Sequence, residues 1–317
     1  MMPSARASVK RTLLATGHYR RRLAAARFPG VVVLCYHAVR PDDAPAGRYP
    51  FEQLHVRVSE LAAHCELIAR CCTPVSIEEL RRAILDGAPL PARPVLVTFD
   101  DGYRSVARLA APILERHRVP AAFFVCSRSI AERRLLWYDA MARLGTESDV
   151  ERAKGLSFAE WQRLDRETLT PVGDDDPLAP MTVEELQSLA ASSLFEIGAH
   201  TASHPILARA PVSDQRDQIR DCIRAVTAWT RTPTKAFAYP NGQPGVDYTA
   251  DTVALLRDEG IEVAFTTRAG FAGRRERALE QPRFMMLAGV SASELAHRLA
   301  YSWRRVAESH ASSGAPA

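Results

Sequence analysis

Short apolar runs alternate with helix-patterned stretches along almost the whole chain, and this alternation constrains the fold more than any other feature. The runs 31–35, 94–99, 121–126, 195–199, 235–239 and 261–266, with a short one near 283–286, read as buried strands. Between them, 51–68, 76–85, 104–117, 182–191, 213–230 and 249–259 read as helices, and Ser291 opens a last one. Strands and helices in such alternation argue for parallel βα units gathered into one barrel-like domain. In barrels of this kind the chemistry sits at the C-terminal ends of the strands. His37, Asp100, Asp101, His200 and Asn241 all fall at such ends.

Local signals mark where helices begin and stop. Ser76-Ile77-Glu78-Glu79 and Thr182-Val183-Glu184-Glu185 are capping boxes, in which the hydroxyl accepts the N–H three residues on and the Glu accepts that of the cap. Ile219, Cys222, Ile223, Val226 and Trp229 form one apolar stripe, and Gly260 suits the left-handed position after a helix. Residues 127–180 differ, with weak periodicity, the acidic run Asp174-Asp175-Asp176 and prolines at 171, 177 and 180. They read as an insertion over the face of the domain, with helix around 137–144 and 157–166. The expected organisation is a basic N-terminal arm over 1–30, one domain over 31–308, and a small polar tail over 309–317 that is disordered.

The net charge of +4 is unevenly placed. Residues 1–30 hold seven basic residues and no acidic one, leaving 34 basic against 37 acidic groups in the rest, a net −3. The arm reads as a docked helix or a disordered tail, or as a peripheral contact with anionic lipid through residues 6–27. No interleaving of aromatic and basic residues follows, so no nucleic-acid partner is expected. Arg20-Arg21-Arg22 interrupts the place where a secretory leader would need its apolar core. Six cysteines are scattered without a Cys-x-x-Cys pair. The expectation is therefore reduced thiols in a cytoplasmic protein, if at a membrane then at its inner face.

Thr98-Phe99-Asp100-Asp101-Gly102-Tyr103 closes the strand 94–99 with two adjacent carboxylates. Repulsion and desolvation push both pKa values up unless a cation or proton intervenes. A divalent metal on one carboxylate would resolve the conflict and leave the other to take a proton from water. The plainer alternative is a turn that merely ends the strand. His200-Thr201-Ala202-Ser203-His204 places two imidazoles four residues apart; if the segment makes one helical turn, both rings share a face. With Asp101 they would make a two-histidine, one-carboxylate set, for which zinc is the default and iron, manganese or cobalt also suit.

Taken in order, Thr98-Phe99-Asp100-Asp101-Gly102, His200-Thr201-x-x-His204-Pro205 and Phe237-Ala238-Tyr239-Pro240-Asn241-Gly242 resemble the polysaccharide deacetylases, the NodB homology group of carbohydrate esterase family four. The resemblance covers roughly residues 30–290. It implies a distorted, TIM-like (β/α) barrel of about seven strands and metal-dependent hydrolysis of an N-acyl, usually N-acetyl, amino sugar in a polysaccharide, glycolipid or glycan precursor. Carried over residue by residue, Asp100 is the general base, Asp101, His200 and His204 are the metal ligands, and the Asn241 backbone N–H helps to hold the oxyanion.

Two departures from the family pattern stand out. Ala238 occupies a position where many members carry an arginine that orients the base; either another cation replaces it, with Arg283 the candidate, or Asp100 titrates with less constraint. No C-terminal Leu-x-His acid is evident, since His297 lies in a helix and His310 in the tail. His37 is the better candidate acid, against a structural, hydrogen-bonded role. Two other readings stay open: a deformylase or other amidohydrolase with the same site, and a catalytically silent carbohydrate-binding protein on the same fold.

Overall fold

The computed structural model describes residues 5–303; the expected tail and His310 lie outside them. Helices α1 (Ala5–Ala15) and α2 (His18–Ala24) precede strand β1 (Val32–Tyr36). Strands β2 (Ala38–Arg40) and β3 (His55–Arg57), helix α3 (Val58–Cys71), strand β4 (Thr73–Pro74) and helix α4 (Ile77–Asp86) lead to β5 (Pro94–Phe99). After α5 (Ala111–His117) and β6 (Ala121–Val125) come four insertion helices, α6 (Ser127–Glu132), α7 (Trp137–Leu144), α8 (Glu147–Ala153) and α9 (Phe158–Glu167). Then follow α10 (Val183–Ala190), β7 (Phe195–Ala199), α11 (Val212–Thr230), β8 (Ala236–Ala238), α12 (Ala250–Asp258), β9 (Val263–Phe265), β10 (Phe284–Met285) and α13 (Ala292–His297).

Seven strands form one curled, wholly parallel path in the order β10-β1-β5-β6-β7-β8-β9, and β4 adds to the start of β5. The gap between β9 and β10 is bridged by irregular chain. Gln281 N–H donates to the Ala264 carbonyl (2.7 Å) and Thr266 N–H to that of Gln281 (2.9 Å), after which Phe284 and Met285 pair with Leu34 and Cys35. This is the distorted barrel expected, with an irregular seam where an eighth regular strand would lie.

Strand parity divides the core in two. Val31, Val33, Leu96, Ala122, Phe124, Ala236, Ala238, Val263 and Phe265 meet inside the barrel. Their alternates, such as Val32, Leu34, Val95, Val97, Phe123 and Phe237, pack outward against the helices. Ile77, Leu80 and Ile84 of α4 join the inner cluster, and α4 follows the strand paired with the start of β5, so it plugs the N-terminal end of the barrel. Gly198 is required by this packing, because a β-carbon there would lie 2.4 Å from the Phe124 ring.

Three local expectations are corrected. Residues 51–68 are not one helix. Phe51 takes a left-handed backbone (φ 50), a single turn covers Glu52–Leu54, and Val56 pairs with Val39 before α3 begins. The 104–117 helix opens as a π-turn over Val106–Ala110, since Pro112 has no N–H to give Arg108. The insertion is more regular than its sequence suggests, because α8 and α9 carry their own capping boxes at Thr146 and Ser157. Two residues of its acidic run are paired: Asp174 bridges Arg104 and Arg133, and Asp176 binds Arg143.

Candidate active site

The alternation that fills the barrel also delivers the site. His37 continues the inward set of Val31 and Val33, Asp100 that of Leu96 and Thr98, and His200 that of Gly198. Asp101 should then face the opposite way. Its left-handed backbone (φ 75), followed by Gly102 (φ 85), turns the chain so that both carboxylates border one cleft. That cleft holds about 550 Å³ and is lined by His37, Asp100, Asp101, His200, His204 and Asn241, with Phe51, Leu54, Trp137 and Tyr138 among its walls.

Arg283 stands behind Asp100, fully buried. Its Nη1 and Nη2 donate to Oδ1 (2.7 Å) and Oδ2 (2.6 Å), while Nη1 also reaches Thr98 Oγ1 (3.2 Å) and Nε the Thr266 carbonyl (3.1 Å). Burial pushes the Asp100 carboxyl up, but the guanidinium outweighs it and holds the group below its ordinary value. Arg283, the candidate named to stand in for an arginine at Ala238, is thus the cation that pairs with Asp100.

Asp101 Oδ1 faces the Nε2 atoms of His200 and His204 at 3.4 and 3.5 Å. These three donors lie within 4.8 Å of one another, all are buried, and among the described residues Oδ1 accepts no hydrogen bond. His200 Nδ1 donates to the Ala238 carbonyl (2.7 Å), which turns the Nε2 lone pair toward the carboxylate. Burial works against charge on His200, yet its contact with Asp101 and the nearby Asp100 hold it above its ordinary value. Burial lowers His204 to about 3, so it stays neutral. Converging lone pairs around an orphaned carboxylate oxygen fit a divalent cation.

The His-x-x-x-His segment does not make a helical turn. Thr201 (φ 67) and His204 (φ 59) both adopt left-handed backbones, and Thr201 Oγ1 accepts the His204 N–H (3.0 Å). The rings still meet, 4.9 Å apart and nearly perpendicular. His37 is half-buried, its Nδ1 has no hydrogen-bond partner among the described residues, and one of its ring nitrogens lies within 4.8 Å of ligand atoms of Asp100 and Cys35. Asn241 is left-handed (φ 55), and Thr267 Oγ1 donates to its carbonyl (2.6 Å). His297 is remote from this cluster, bonded through Nδ1 to the Tyr19 hydroxyl.

The cleft also uses residues that the sequence reading passed over: Trp137 and Tyr138 of the insertion, and Phe51 and Leu54 of the loop before β3. Behind it, the buried Cys35 thiol lies 3.5 Å from Asp100 Oδ2. The run Leu136-Trp137-Tyr138-Asp139, aromatic and acidic within an unremarkable stretch, was the available signal.

Among known proteins, residues 87–264 match the family described as polysaccharide deacetylase. The poly-beta-1,6-N-acetyl-D-glucosamine N-deacetylase of Escherichia coli K12 is 27% identical over 282 residues, covering 85% of this chain and 38% of that protein. The chain therefore spans well under half the length of the curated relatives it matches. Among solved structures, Streptococcus pyogenes deacetylase PplD superposes with a TM-score of 0.62 at 19% identity, over 84% of this chain and 96% of that one. IcaB from Ammonifex degensii gives 0.60 at 23% identity, over 88% and 99%. Both share the fold. The matched residues run from just before the strand that ends in Asp100-Asp101 to beyond those that lead to His200 and Asn241, and the chain belongs to the polysaccharide deacetylase family.

Proposed function

We propose that the cleft is the centre of a metal-dependent hydrolase that removes an N-acyl group, N-acetyl first, from an amino sugar of a glycan, glycolipid or glycan precursor. The observation that carries this reading is the division of labour between neighbouring carboxylates: Asp100 locked by Arg283, Asp101 exposed to two imidazoles. Family membership and the name of the E. coli relative support the same chemistry.

Asp101, His200 and His204 would hold the ion, with zinc as first choice for this donor set. When bound, such an ion polarises an acyl carbonyl and acidifies water. Asp100, kept ionised by Arg283, accepts the proton of the attacking water as the carbon–oxygen bond forms. The Asn241 backbone N–H faces the developing oxyanion. His37 gives a proton to the departing nitrogen as the carbon–nitrogen bond breaks, so that a carboxylate and a free amine leave.

The test is release of acetate or formate from N-acetylated and N-formylated sugars, free and lipid-linked, by zinc-loaded protein beside Asp100→Asn. Wild-type release with a loss of about 10²–10⁴-fold in the variant is expected. No release from any substrate by protein with zinc bound would overturn the reading.

The setting is part of the proposal. All six cysteines are free, which supports a reducing compartment. The exposed arginines of α1 and α2 suit a peripheral contact with anionic lipid.

A further inference from the structure

We propose that Trp137 and Tyr138, at the start of α7, are positioning residues that hold His204 in ligating register, which makes the insertion a working part of the metal site. The inference rests on the reading of Asp101, His200 and His204 as ligands.

The two histidines are secured differently. The His200 ring is fixed by its Nδ1–H bond to the Ala238 carbonyl (2.7 Å). Partners of this kind orient ligating imidazoles and set their tautomer. Among the described residues His204 has none, since its Nδ1 is buried without a hydrogen-bond partner there. Its backbone is also left-handed (φ 59), a conformation unfavourable to a residue with a β-carbon. Ring and backbone both need outside support.

Helix α7 supplies it. The buried Trp137 Nε1–H donates to the His204 carbonyl (2.8 Å), which holds the strained peptide. The Tyr138 ring meets the imidazole edge-on, 5.0 Å away at 64°, while the His200 ring meets it at 4.9 Å and 67°. The imidazole is thus wedged between two rings. Asp139 extends the grip to the other ligand loop: the Tyr103 hydroxyl, two residues beyond Asp101, donates to its Oδ2 (2.7 Å). Three consecutive residues of one helix therefore brace both loops that bring in ligands.

Trp137→Phe keeps an aromatic ring and deletes the donor. Trp161→Phe is the matched control. Trp161 lies in the same insertion core, with its ring 6.5 Å from Trp137, but among the described residues its Nε1 has no acceptor and it makes no hydrogen bond to His204. Zinc affinity is measured on the full chain by competition with a chromophoric chelator, alongside the visible spectrum of the cobalt-loaded protein. Trp137→Phe is expected to weaken zinc binding by about 10-fold or more and to shift the cobalt bands. Tyr138→Leu should act in the same direction, while Trp161→Phe leaves affinity and spectrum unchanged even if it lowers the melting temperature. Wild-type affinity in Trp137→Phe, or an equal loss in Trp161→Phe, would overturn the inference and leave the ligand assignment standing. Failure of the wild type itself to bind zinc would overturn the ligand assignment, and the inference with it.

Discussion

Arg283 is the residue on which the energetics of the site turn. A guanidinium and a carboxylate buried together each forfeit several kcal/mol of hydration, recovered only through good geometry and full hydrogen bonding. Here Nη1 and Nη2 each meet one carboxylate oxygen, and two further donors go to Thr98 and Thr266. Arg283→Lys keeps the charge but loses the two-point fit. The Asp100 carboxyl should then rise, and the acid limb of the deacylation pH profile should move to higher pH; an unmoved limb would mean that Arg283 does not set the base. At the plugged end of the same interior, Glu196 shares the parity of Gly198 and His200. Burial raises its carboxyl from 4.5 to about 7, against the pull of Arg81. The folded state therefore keeps a proton that the unfolded chain has lost across this window, so stability falls as pH rises from about 4.5 to 7. Glu196→Gln should gain roughly 1–2 kcal/mol in urea unfolding at pH 8, allowing for partial solvent access, and nothing at pH 4. Equal gains at both pH values would refute this account.

Among the elements, the pair α1 and α2 resolves the first question raised by the basic arm. It is helical and docked: Tyr19 and Leu23 are fully buried, Lys10 binds Glu294 of α13 (2.5 Å), and Arg22 stacks over the Tyr301 ring. Arg11, Arg20 and Arg21 are exposed. If this surface meets anionic lipid, each arginine contributes about 1 kcal/mol at the membrane. Replacing Arg11, Arg20 and Arg21 by Gln should weaken binding to phosphatidylserine-containing vesicles on the order of 100-fold at low salt and leave the melting temperature nearly unchanged. Binding that ignores these changes, or ignores the anionic lipid, would remove the membrane role. The insertion shows how far element-level reading reaches. Its helices over 137–144 and 157–166 were legible from local pattern, and the structure has Trp137–Leu144 and Phe158–Glu167. Its contact with His204 was not, because those residues are 67 positions apart in the chain and meet only after the barrel closes.

For the molecule as a whole, folding brings Asp101 to His200 and His204, about a hundred residues further along the chain, so an ion bound there stabilises the native state by linkage. Zinc at a hundredfold excess over its Kd should add about 2.7 kcal/mol to unfolding, read as a rise in melting temperature that Asp101→Asn abolishes. A rise that persists in Asp101→Asn would place the zinc elsewhere. The barrel, the strand ends that carry His37, Asp100, His200 and Asn241, and the capping boxes were readable from the chain because they depend on short-range rules. Side-chain parity, helical period and cap spacing each act over a few residues. Tertiary structure alone decided the rest. Arg283 reaches Asp100 across 183 residues only because the irregular seam at 278–285 closes the sheet beside β1. The left-handed backbone at His204 is held by α7, through the bond from Trp137 Nε1–H to its carbonyl. Local sequence can place a group at the end of a strand, but which charge or ring stands opposite it depends on how the sheet closes, and no spacing along the chain encodes that.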